Sequence, residues 1–241
     1  MLSVDRVSVN RGKTLALADI SLSIEAGKTL AVVGESGAGK STLIAAILGL
    51  LTPSKGSVTW SGAPVRSCRP ALVMQEPRAA FNPALSLRRS VMEPLFARKA
   101  NVPDNRLSRL CKGLELPTDL LDRKPGEVSI GQAQRVGILR ALIDAPPLIL
   151  FDEPLSALDA VTQKHTAKLI ADLQAEEGFA SLIVTHDLGY ACAYSDDVAV
   201  LKCGRIEESG DSSAFVAAPR TDYGRALRDA AIALGGLEIA A

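Results

Sequence analysis

One glycine-rich segment constrains the possible folds of this chain more than any other segment. It joins a run of apolar residues to a stretch in which apolar residues recur with the spacing of a helix. The apolar run is 30–33 and the helical stretch is 43–48, and between them stand Gly34, Glu35, Ser36, Gly37, Ala38, Gly39, Lys40, Ser41 and Thr42. Glycines let successive backbone N–H groups turn around phosphate oxygens, and the helix adds the positive end of its dipole. The pattern predicts a nucleoside triphosphate site, with Lys40 on the β- and γ-phosphates and Ser41 on magnesium.

Composition narrows the class of protein. The chain has 241 residues, enough for one large or two small domains, and its 47% apolar and 4% aromatic content is typical of a soluble α/β protein. Its 27 basic and 27 acidic residues cancel, so no overall charge indicates nucleic acid as a partner.

No apolar run reaches the roughly 18 residues of a membrane span. The N-terminus lacks a secretion signal, so we expect a cytoplasmic protein.

The potential metal or redox ligands are sparse. The four cysteines are scattered without a C-x-x-C pair, which favours buried small side chains over a metal or redox site. They are Cys68, Cys111, Cys192 and Cys203. Besides His186, the sequence contains one histidine, His165, which we place on the exposed polar face of a helix.

Alternation and helical spacing predict the elements around the glycine-rich segment. Apolar residues alternate from Leu2 to Val9 and again over 20–24, on either side of a turn at 10–13, which predicts an antiparallel β pair. After Ser41, helical spacing continues to position 51, where Thr52-Pro53 predicts the end of the helix.

A helical subdomain is predicted over 78–140, inserted into the sheet domain. Prolines at positions 83, 94, 103 and 117 are expected to break it into short helices. The segment holds 12 Lys and Arg against 6 Asp and Glu. This excess of positive charge has two interpretations. It is either a solvated helical surface, or a face turned toward an acidic partner or an anionic membrane surface.

Polar residues follow three apolar strands at the edge where ligands collect in open α/β sheets. Asp152 and Glu153 follow the run 148–151, and we expect Asp152 to orient magnesium while Glu153 polarises the attacking water. Gln75 is expected to coordinate the metal or position that water. His186 follows the run 181–184 and is expected to donate a hydrogen bond to a γ-phosphate oxygen.

A second anion site is predicted away from the first. Ser129 is a plausible N-cap for a helix through Ala141, and Gly131 would let backbone approach a ligand closely. One chain seldom needs two γ-phosphate sites, which suggests a site completed by a second copy. Asp159 is expected to cap the next helix, through Gln174.

In this order, the segments resemble the ATP-binding subunit of an ABC transporter over about 2–230. The matching motifs are Walker A (34–42), the Q-loop glutamine Gln75, the signature (128–132), Walker B (148–153), the D-loop (156–159) and the switch histidine His186. The resemblance implies an α/β P-loop NTPase fold with a mixed sheet core formed by 1–77 and 141–241, an N-terminal antiparallel β subdomain and the helical insertion 78–140. It also implies a head-to-tail dimer in which ATP lies between the phosphate loop of one copy and Ser129, Gly131, Gln132 and Asp159 of the other.

Two positions depart from the family pattern. The signature has Ile130 where glycine is usual. The aromatic residue that stacks on adenine would fall near Asn10 or Arg11, and neither is aromatic; the planar guanidinium of Arg11 is the predicted replacement.

The segments 75–83 and 219–227 resemble the oligopeptide, dipeptide and nickel importer branch of the family. The resemblance implies ATP and Mg²⁺ as ligands, and partners comprising a second cassette (itself or a paralogue), transmembrane permeases and, indirectly, a substrate-binding protein. It implies a peripheral position on the cytoplasmic face of the inner membrane. Longer members of the branch carry a cysteine-rich extension, and we expect no iron–sulfur cluster here.

Two other classes of function stay open from the sequence. One is a non-transport cassette acting on nucleic acid or ribosomes, which the short spacing of 54 positions between Gln75 and Ser129 and the neutral charge disfavour. The other is a scaffold in a soluble enzyme complex that uses the same fold.

Overall fold

A computed structural model describes residues 1–101 and 105–237. Its strands are β1 (Leu2–Arg11), β2 (Thr14–Ile24), β3 (Thr29–Val33), β4 (Lys55–Trp60), β5 (Ala63–Pro64), β6 (Ala71–Val73), β7 (Leu148–Asp152), β8 (Ala180–Thr185), β9 (Asp197–Lys202) and β10 (Arg205–Asp211). Its α-helices are α1 (Lys40–Ile47), α2 (Leu87–Arg98), α3 (Arg106–Gly113), α4 (Ile130–Leu142), α5 (Ala160–Glu177), α6 (Leu188–Tyr194), α7 (Ser212–Ala217) and α8 (Asp222–Ala233).

Two sheets form the framework. The larger has the strand order β10-β9-β3-β8-β7-β6; its strands run parallel except β10, which pairs antiparallel with β9. The smaller is antiparallel, in the order β2-β1-β4-β5. This confirms the predicted mixed sheet and N-terminal antiparallel unit. The carboxyl ends of the parallel strands β3, β6, β7 and β8 lie at one edge, where the polar residues of the sequence motifs follow them.

The larger sheet is covered on both faces because successive side chains of a strand point to opposite sides. Leu148 and Leu150 pack with the smaller sheet and α1, whereas Ile149 and Phe151 pack with α2, α3, α4 and α5. A third cluster joins β3 and β9 to α6, α7 and α8. The predicted helical insertion therefore shares its apolar core with one face of the sheet.

Several predicted helix boundaries are wrong. Helix α1 ends at Ile47 instead of near 51, because Gly49 adopts a left-handed conformation with φ 68° ahead of Thr52-Pro53. Pro94 does not break the chain but lies inside α2. The predicted break at Pro103 lies outside the described residues. The sequence also predicts a tail over 237–241, of which all but Leu237 lie outside the described residues; Leu237 packs against the third cluster.

Ion pairs neutralise part of the basic excess of 78–140. Arg88 pairs with Asp122 at 2.7 Å between Nε and Oδ1, and Arg98 pairs with Asp144. Arg106 is buried, donates to the carbonyls of Ile143 and Leu142, and pairs with Glu177 of α5 at 2.8 Å. The contacts of Arg106 attach α3 to the end of α4 and to α5. Part of the basic excess therefore holds the helices together.

The buried Glu208 of β10 holds the start of α8. Its carboxylate accepts from the backbone N–H of Arg220 at 3.3 Å and of Thr221 at 2.6 Å, and Thr221 caps α8. Gly224 faces it, and a Cβ there would lie 2.7 Å from Oε2. Burial raises the pKa of Glu208, but the hydrogen bonds from Thr221 and Arg220 outweigh burial and hold it below its ordinary value.

We expect Glu208→Gln to lower the free energy of unfolding by about 1.5–3 kcal/mol at neutral pH, the range for hydrogen bonds to a charged group. Because the folded pKa is lowered, this contribution is fully present above the unfolded pKa and is lost as pH falls through the folded pKa. Urea unfolding across this range measures it, with the exposed neighbour Glu207→Gln as control. A difference that persists in acid would contradict the charged role of Glu208.

Candidate functional site

The phosphate loop lies between β3 and α1, and its glycines serve identifiable geometric needs. A Cβ on Gly34 would lie 2.1 Å from the carbonyl oxygen of Leu201, so the loop start passes directly against β9. Gly37 and Gly39 have φ angles of 82° and 114°, which side-chain-bearing residues rarely adopt. The loop therefore curls as the sequence predicts for an anion cradle.

Lys40 lies at the start of α1 and is 9% exposed. Its Nζ donates to the carbonyl oxygens of Gly34 at 2.7 Å and Glu35 at 3.0 Å. The ammonium group is thereby held inside the curl of the loop, where phosphate oxygens can replace these carbonyl partners.

Asp152 ends β7 beside Lys40 and Ser41. Burial raises the pKa of Asp152 and Glu153 acts in the same direction, while the Lys40 charge and a hydrogen bond from Ser41 lower it. A carboxylate destabilised in this way gains from a nearby cation. Hydroxyl and carboxylate oxygens are ligands that magnesium prefers, so Ser41 and Asp152 fit the predicted metal role.

Glu153 and His186 are in direct contact. Oε2 of Glu153 lies 2.7 Å from Nδ1 of His186 across β7 and β8, although sequence reasoning assigned the two side chains separate tasks. Glu153 has the unusual φ of 47°, its N–H donates to the carbonyl of Val184, and its side chain is only 11% exposed. The backbone therefore holds the Glu153 carboxylate at the sheet edge, and His186, 66% exposed, covers it from the solvent side.

A cavity of about 1000 Å³ joins most of the predicted site residues. Its lining includes Arg11, Ser36, Gly37, Gly39, Lys40, Ser41, Thr42, Gln75, Asp152, Glu153 and His186. Gly34, Glu35 and Ala38 shape the loop but do not border the cavity. Thr14, Leu15, Ala16, Cys203 and Gly204 also border it, and sequence reasoning missed all five. Thr14, Leu15 and Ala16 begin β2, and Cys203 and Gly204 form the turn between β9 and β10. The sequence places neither segment beside the phosphate loop.

Ser129, Gly131, Gln132 and Asp159 do not line this cavity. Ser129 caps α4 in a capping box, in which its Oγ accepts from the Gln132 N–H and the Gln132 Oε1 accepts from the Ser129 N–H. Asp159 caps α5, and hydrogen bonds from Thr162 hold the pKa of Asp159 below its usual range. The chain thus carries two helix N-termini that its own phosphate loop does not use.

Gly131 also serves the packing of the chain, and its predicted approach to a ligand stays a prediction. A Cβ at Gly131 would lie 3.1 Å from the methyl group of Thr162 and 3.8 Å from Leu158, so the small size of glycine also suits the close packing of α4 against the start of α5. A second connection, also missed from sequence, is the hydrogen bond from the Arg78 guanidinium to the carbonyl of Val128. It ties the segment after Gln75 to the residue before Ser129.

Comparison with known proteins agrees with this geometry. The family model described as "ABC transporter" matches residues 17–156. The chain belongs to the ABC transporter family. It is 38% identical over 217 residues to the "Probable D,D-dipeptide transport ATP-binding protein DdpF" of Escherichia coli, covering 89% of this chain and 70% of that protein. It is 36% identical to the oligopeptide transport ATP-binding protein OppF of Haemophilus influenzae, covering 89% and 69%.

Solved structures of ABC cassettes share the fold. CbiO1 of Clostridium perfringens, part of the transporter complex CbiONQ, superposes with a TM-score of 0.80 at 27% identity and covers 97% of this chain and 95% of that one. The cassette MJ0796, in a dimeric post-hydrolysis state with ADP and Pi, superposes with a TM-score of 0.77 at 29% identity, covering 88% and 99%. This ABC protein is accordingly an ATPase subunit. No helix in the described part of the chain is long and apolar enough to cross a membrane.

The cysteine and histidine predictions for this cassette are partly wrong. Cys111 is buried as expected, but Cys68 and Cys192 are half-buried and Cys203 is exposed at the cavity. Burial raises the pKa of the Cys192 thiol to about 11. His165 is not merely exposed: its Nε2 lies 2.8 Å from Oε2 of Glu115, which joins α5 to the segment after α3.

We expect His186→Ala to lower ATP turnover roughly a hundredfold, because it removes the group that contacts the Glu153 carboxylate. The affinity for ADP should be unchanged, since His186 lies at the Glu153 end of the cavity. Steady-state phosphate release and calorimetric ADP binding measure the two quantities. His165 lies outside the cavity, so His165→Ala should retain full turnover. Loss of turnover in both variants would contradict a specific role for His186.

Proposed function

We propose that this ABC cassette hydrolyses Mg²⁺-ATP to power a membrane importer of peptides. The observation that carries the proposal is the single cavity in which the phosphate loop faces Gln75, Asp152, Glu153 and His186. The peptide assignment draws on the names of its relatives, which are dipeptide and oligopeptide transport ATP-binding proteins. Nickel chelates, the other cargo expected for this branch, stay a prediction.

The residues of the cavity divide the chemistry between them. Lys40 and the loop N–H groups hold the phosphates, while Ser41 and Asp152 provide oxygen ligands for magnesium, with Gln75 completing the set. Mg²⁺, when bound, neutralises charge on the β- and γ-phosphate oxygens.

Glu153 accepts a proton from the water that attacks the γ-phosphorus, because its carboxylate is the base held at the strand end next to Asp152. His186, in contact with Glu153, keeps that carboxylate oriented and donates to the departing phosphate. Donating to both groups requires a proton on each ring nitrogen, with Nδ1 toward Glu153 and Nε2 toward the phosphate.

A second cassette completes each site. Ser129 and Gly131 at the start of α4, with Gln132 and Asp159 nearby, lie outside the cavity of their own chain, and the positive end of a helix suits an anion. We infer that they cover the nucleotide of a partner cassette, either another copy or a paralogue. Arg78 connects the Gln75 segment to this surface through the carbonyl of Val128.

The remaining parts of the proposal concern organisation in the cell. Residues 1–77 and 141–241 act as the nucleotide-binding core and 78–140 as the helical subdomain. The cassette binds transmembrane permeases at the cytoplasmic face of the inner membrane, and a substrate-binding protein delivers the peptide to them. No nucleic acid is required.

The test is peptide uptake in cells whose gene for this chain is deleted. Complementation with the wild-type chain should restore uptake of labelled dipeptides or oligopeptides, whereas the Glu153→Gln chain should not. Mg²⁺-dependent ATPase activity of the purified chain, measured alongside, separates the enzyme from its cargo. Activity without any peptide uptake defect would overturn the peptide assignment, and salt-sensitive binding of nucleic acid would revive the alternative class.

A further inference from the structure

We propose that Tyr223 of α8 is a positioning residue for the phosphate loop. When phosphates occupy the loop, the Tyr223 hydroxyl donates a hydrogen bond to the carboxylate of Glu35. The inference rests on the proposed function, because it concerns how the same loop holds a nucleotide. Tyr223 belongs to the segment 219–227, to which the proposed function gives no role.

The start of α8 gives Tyr223 a firm base. Glu208 of β10 accepts from the backbone N–H groups of Arg220 and Thr221, and the Thr221 side chain caps the helix. Tyr223 follows two residues later and packs against the apolar cluster that joins β3 and β9 to α6, α7 and α8. The position of the tyrosine ring is therefore set by the larger sheet.

Lys202 holds the same ring from β9. Its Nζ lies 4.1 Å from the centre of the Tyr223 ring, a distance at which an ammonium group is attracted to an aromatic face. The preceding residue, Leu201, provides the carbonyl oxygen that lies against Gly34 at the start of the loop. The tyrosine, the end of β9 and the start of the phosphate loop are thus neighbours.

The hydroxyl of Tyr223 is buried and has no hydrogen-bond partner among the residues that the structure describes. Burial raises the pKa of this phenol, and Glu35 of the loop acts in the same direction. The Glu35 carboxylate is therefore close by, although the two groups are not in hydrogen-bonding geometry. Because a buried hydroxyl without a partner is costly, an approach by Glu35 would lower the free energy of this region.

Nucleotide phosphates favour that approach by competing for Lys40. In the structure, Lys40 Nζ donates to the carbonyl oxygens of Gly34 and Glu35, and the Glu35 carbonyl also accepts from the N–H of Ala38 at 3.1 Å. Phosphate oxygens that bind Lys40 release the Glu35 peptide from the ammonium group. The exposed side chain of Glu35 can then turn toward Tyr223.

The resulting contact contributes to affinity for the nucleotide. A phenol that donates to a carboxylate forms a charge-assisted hydrogen bond, which is among the stronger kinds in proteins. Because this bond forms when Lys40 holds phosphate and not when Lys40 holds the carbonyls, its free energy favours the nucleotide-bound loop.

The test is calorimetric binding of Mg²⁺-ADP to the purified chain and to its Tyr223→Phe variant. We expect the dissociation constant to rise about tenfold, the lower end for loss of a hydrogen bond to a charged group. The free energy of unfolding without nucleotide should not fall, since this hydroxyl has no partner within residues 1–101 and 105–237. Tyr190→Phe, which removes another buried hydroxyl away from the cavity, should leave ADP affinity unchanged.

Variants at position 35 test whether Glu35 is the partner. In a Glu35→Ala background, Tyr223→Phe should have no further effect on ADP affinity, because the acceptor is already missing. Comparison within this background cancels the change of charge that Glu35→Ala itself makes near the phosphates. In a Glu35→Gln background, Tyr223→Phe should still weaken binding, though less, because the amide oxygen accepts as a neutral group.

The outcomes distinguish this inference from the function on which it rests. Equal ADP affinity of the wild type and Tyr223→Phe overturns the inference and leaves the nucleotide site intact. So does lower stability of Tyr223→Phe without a change in affinity, which would show a purely structural tyrosine. An undiminished effect of Tyr223→Phe in the Glu35→Ala background overturns Glu35 as the partner. Failure of the wild-type chain to bind ADP overturns the nucleotide site itself.

Discussion

Replacement of Glu153 by glutamine should reduce Mg²⁺-ATP turnover by about a thousandfold, within the range expected for loss of a general base. The substituted side chain would keep its shape and could still contact His186, but an amide cannot accept the proton of the attacking water. ATP binding should persist because the phosphate loop is unchanged. ATP-bound dimers should therefore accumulate, and size-exclusion chromatography in ATP measures them.

A matched control for this variant is Glu207→Gln, which makes the same change on the exposed face of β10 and should retain turnover and remain monomeric after ATP is consumed. Undiminished turnover in Glu153→Gln would remove Glu153 as the base. Lost turnover without dimers in ATP would instead question the inference that Ser129 and Gly131 cover a partner's nucleotide.

Replacement of Gly34 by alanine should abolish nucleotide binding and lower the free energy of unfolding by about 3 kcal/mol, at the upper end for overpacking. The added methyl group would stand 2.1 Å from the carbonyl oxygen of Leu201, and backbone on both sides must move to make room. Any shift of β3 from β9 also displaces the carbonyls that hold Lys40. Urea unfolding and ADP calorimetry measure the two effects.

Gly126→Ala is the appropriate comparison, because a Cβ at Gly126 meets nothing within 4 Å and its φ is not positive. It should leave stability and ADP binding unchanged. If the Gly34→Ala protein unfolds like the wild type and binds ADP, then β3 and the loop can move enough to accept the added methyl group. The close approach of Gly34 to Leu201 would then not require glycine at this position.

Local patterns predicted much of this cassette because they depend on neighbours in sequence. Glycines and a following helix define the phosphate loop. Gln75, Asp152 and His186 lie at or just after the carboxyl ends of apolar strands, which places them at one edge of a parallel sheet. Capping of α4 by Ser129 and of α5 by Asp159 is also a local property. Boundaries were less predictable: Gly49 ended α1 early, and packing overrode the tendency of Pro94 to break α2.

Contacts between distant segments required the tertiary structure. The approach of Glu153 to His186 depends on the pairing of β7 with β8. The placement of Leu15 beside Cys203 depends on the contact between the start of β2 and Gly204 in the β9–β10 turn. The fold also places Thr162 against Gly131, a packing contact that the predicted ligand role did not include. None of these pairs is linked by spacing or periodicity, so no sequence pattern records them.

By itself, the sequence determined that this protein binds phosphates on a loop between a strand and a helix, and that its polar residues gather at one sheet edge. Those properties follow from backbone geometry, which short segments specify. Only the tertiary structure decided which side chains share the cavity and which glycines serve packing. Those properties follow from strand order and turn contacts, through which residues far apart in the chain become neighbours.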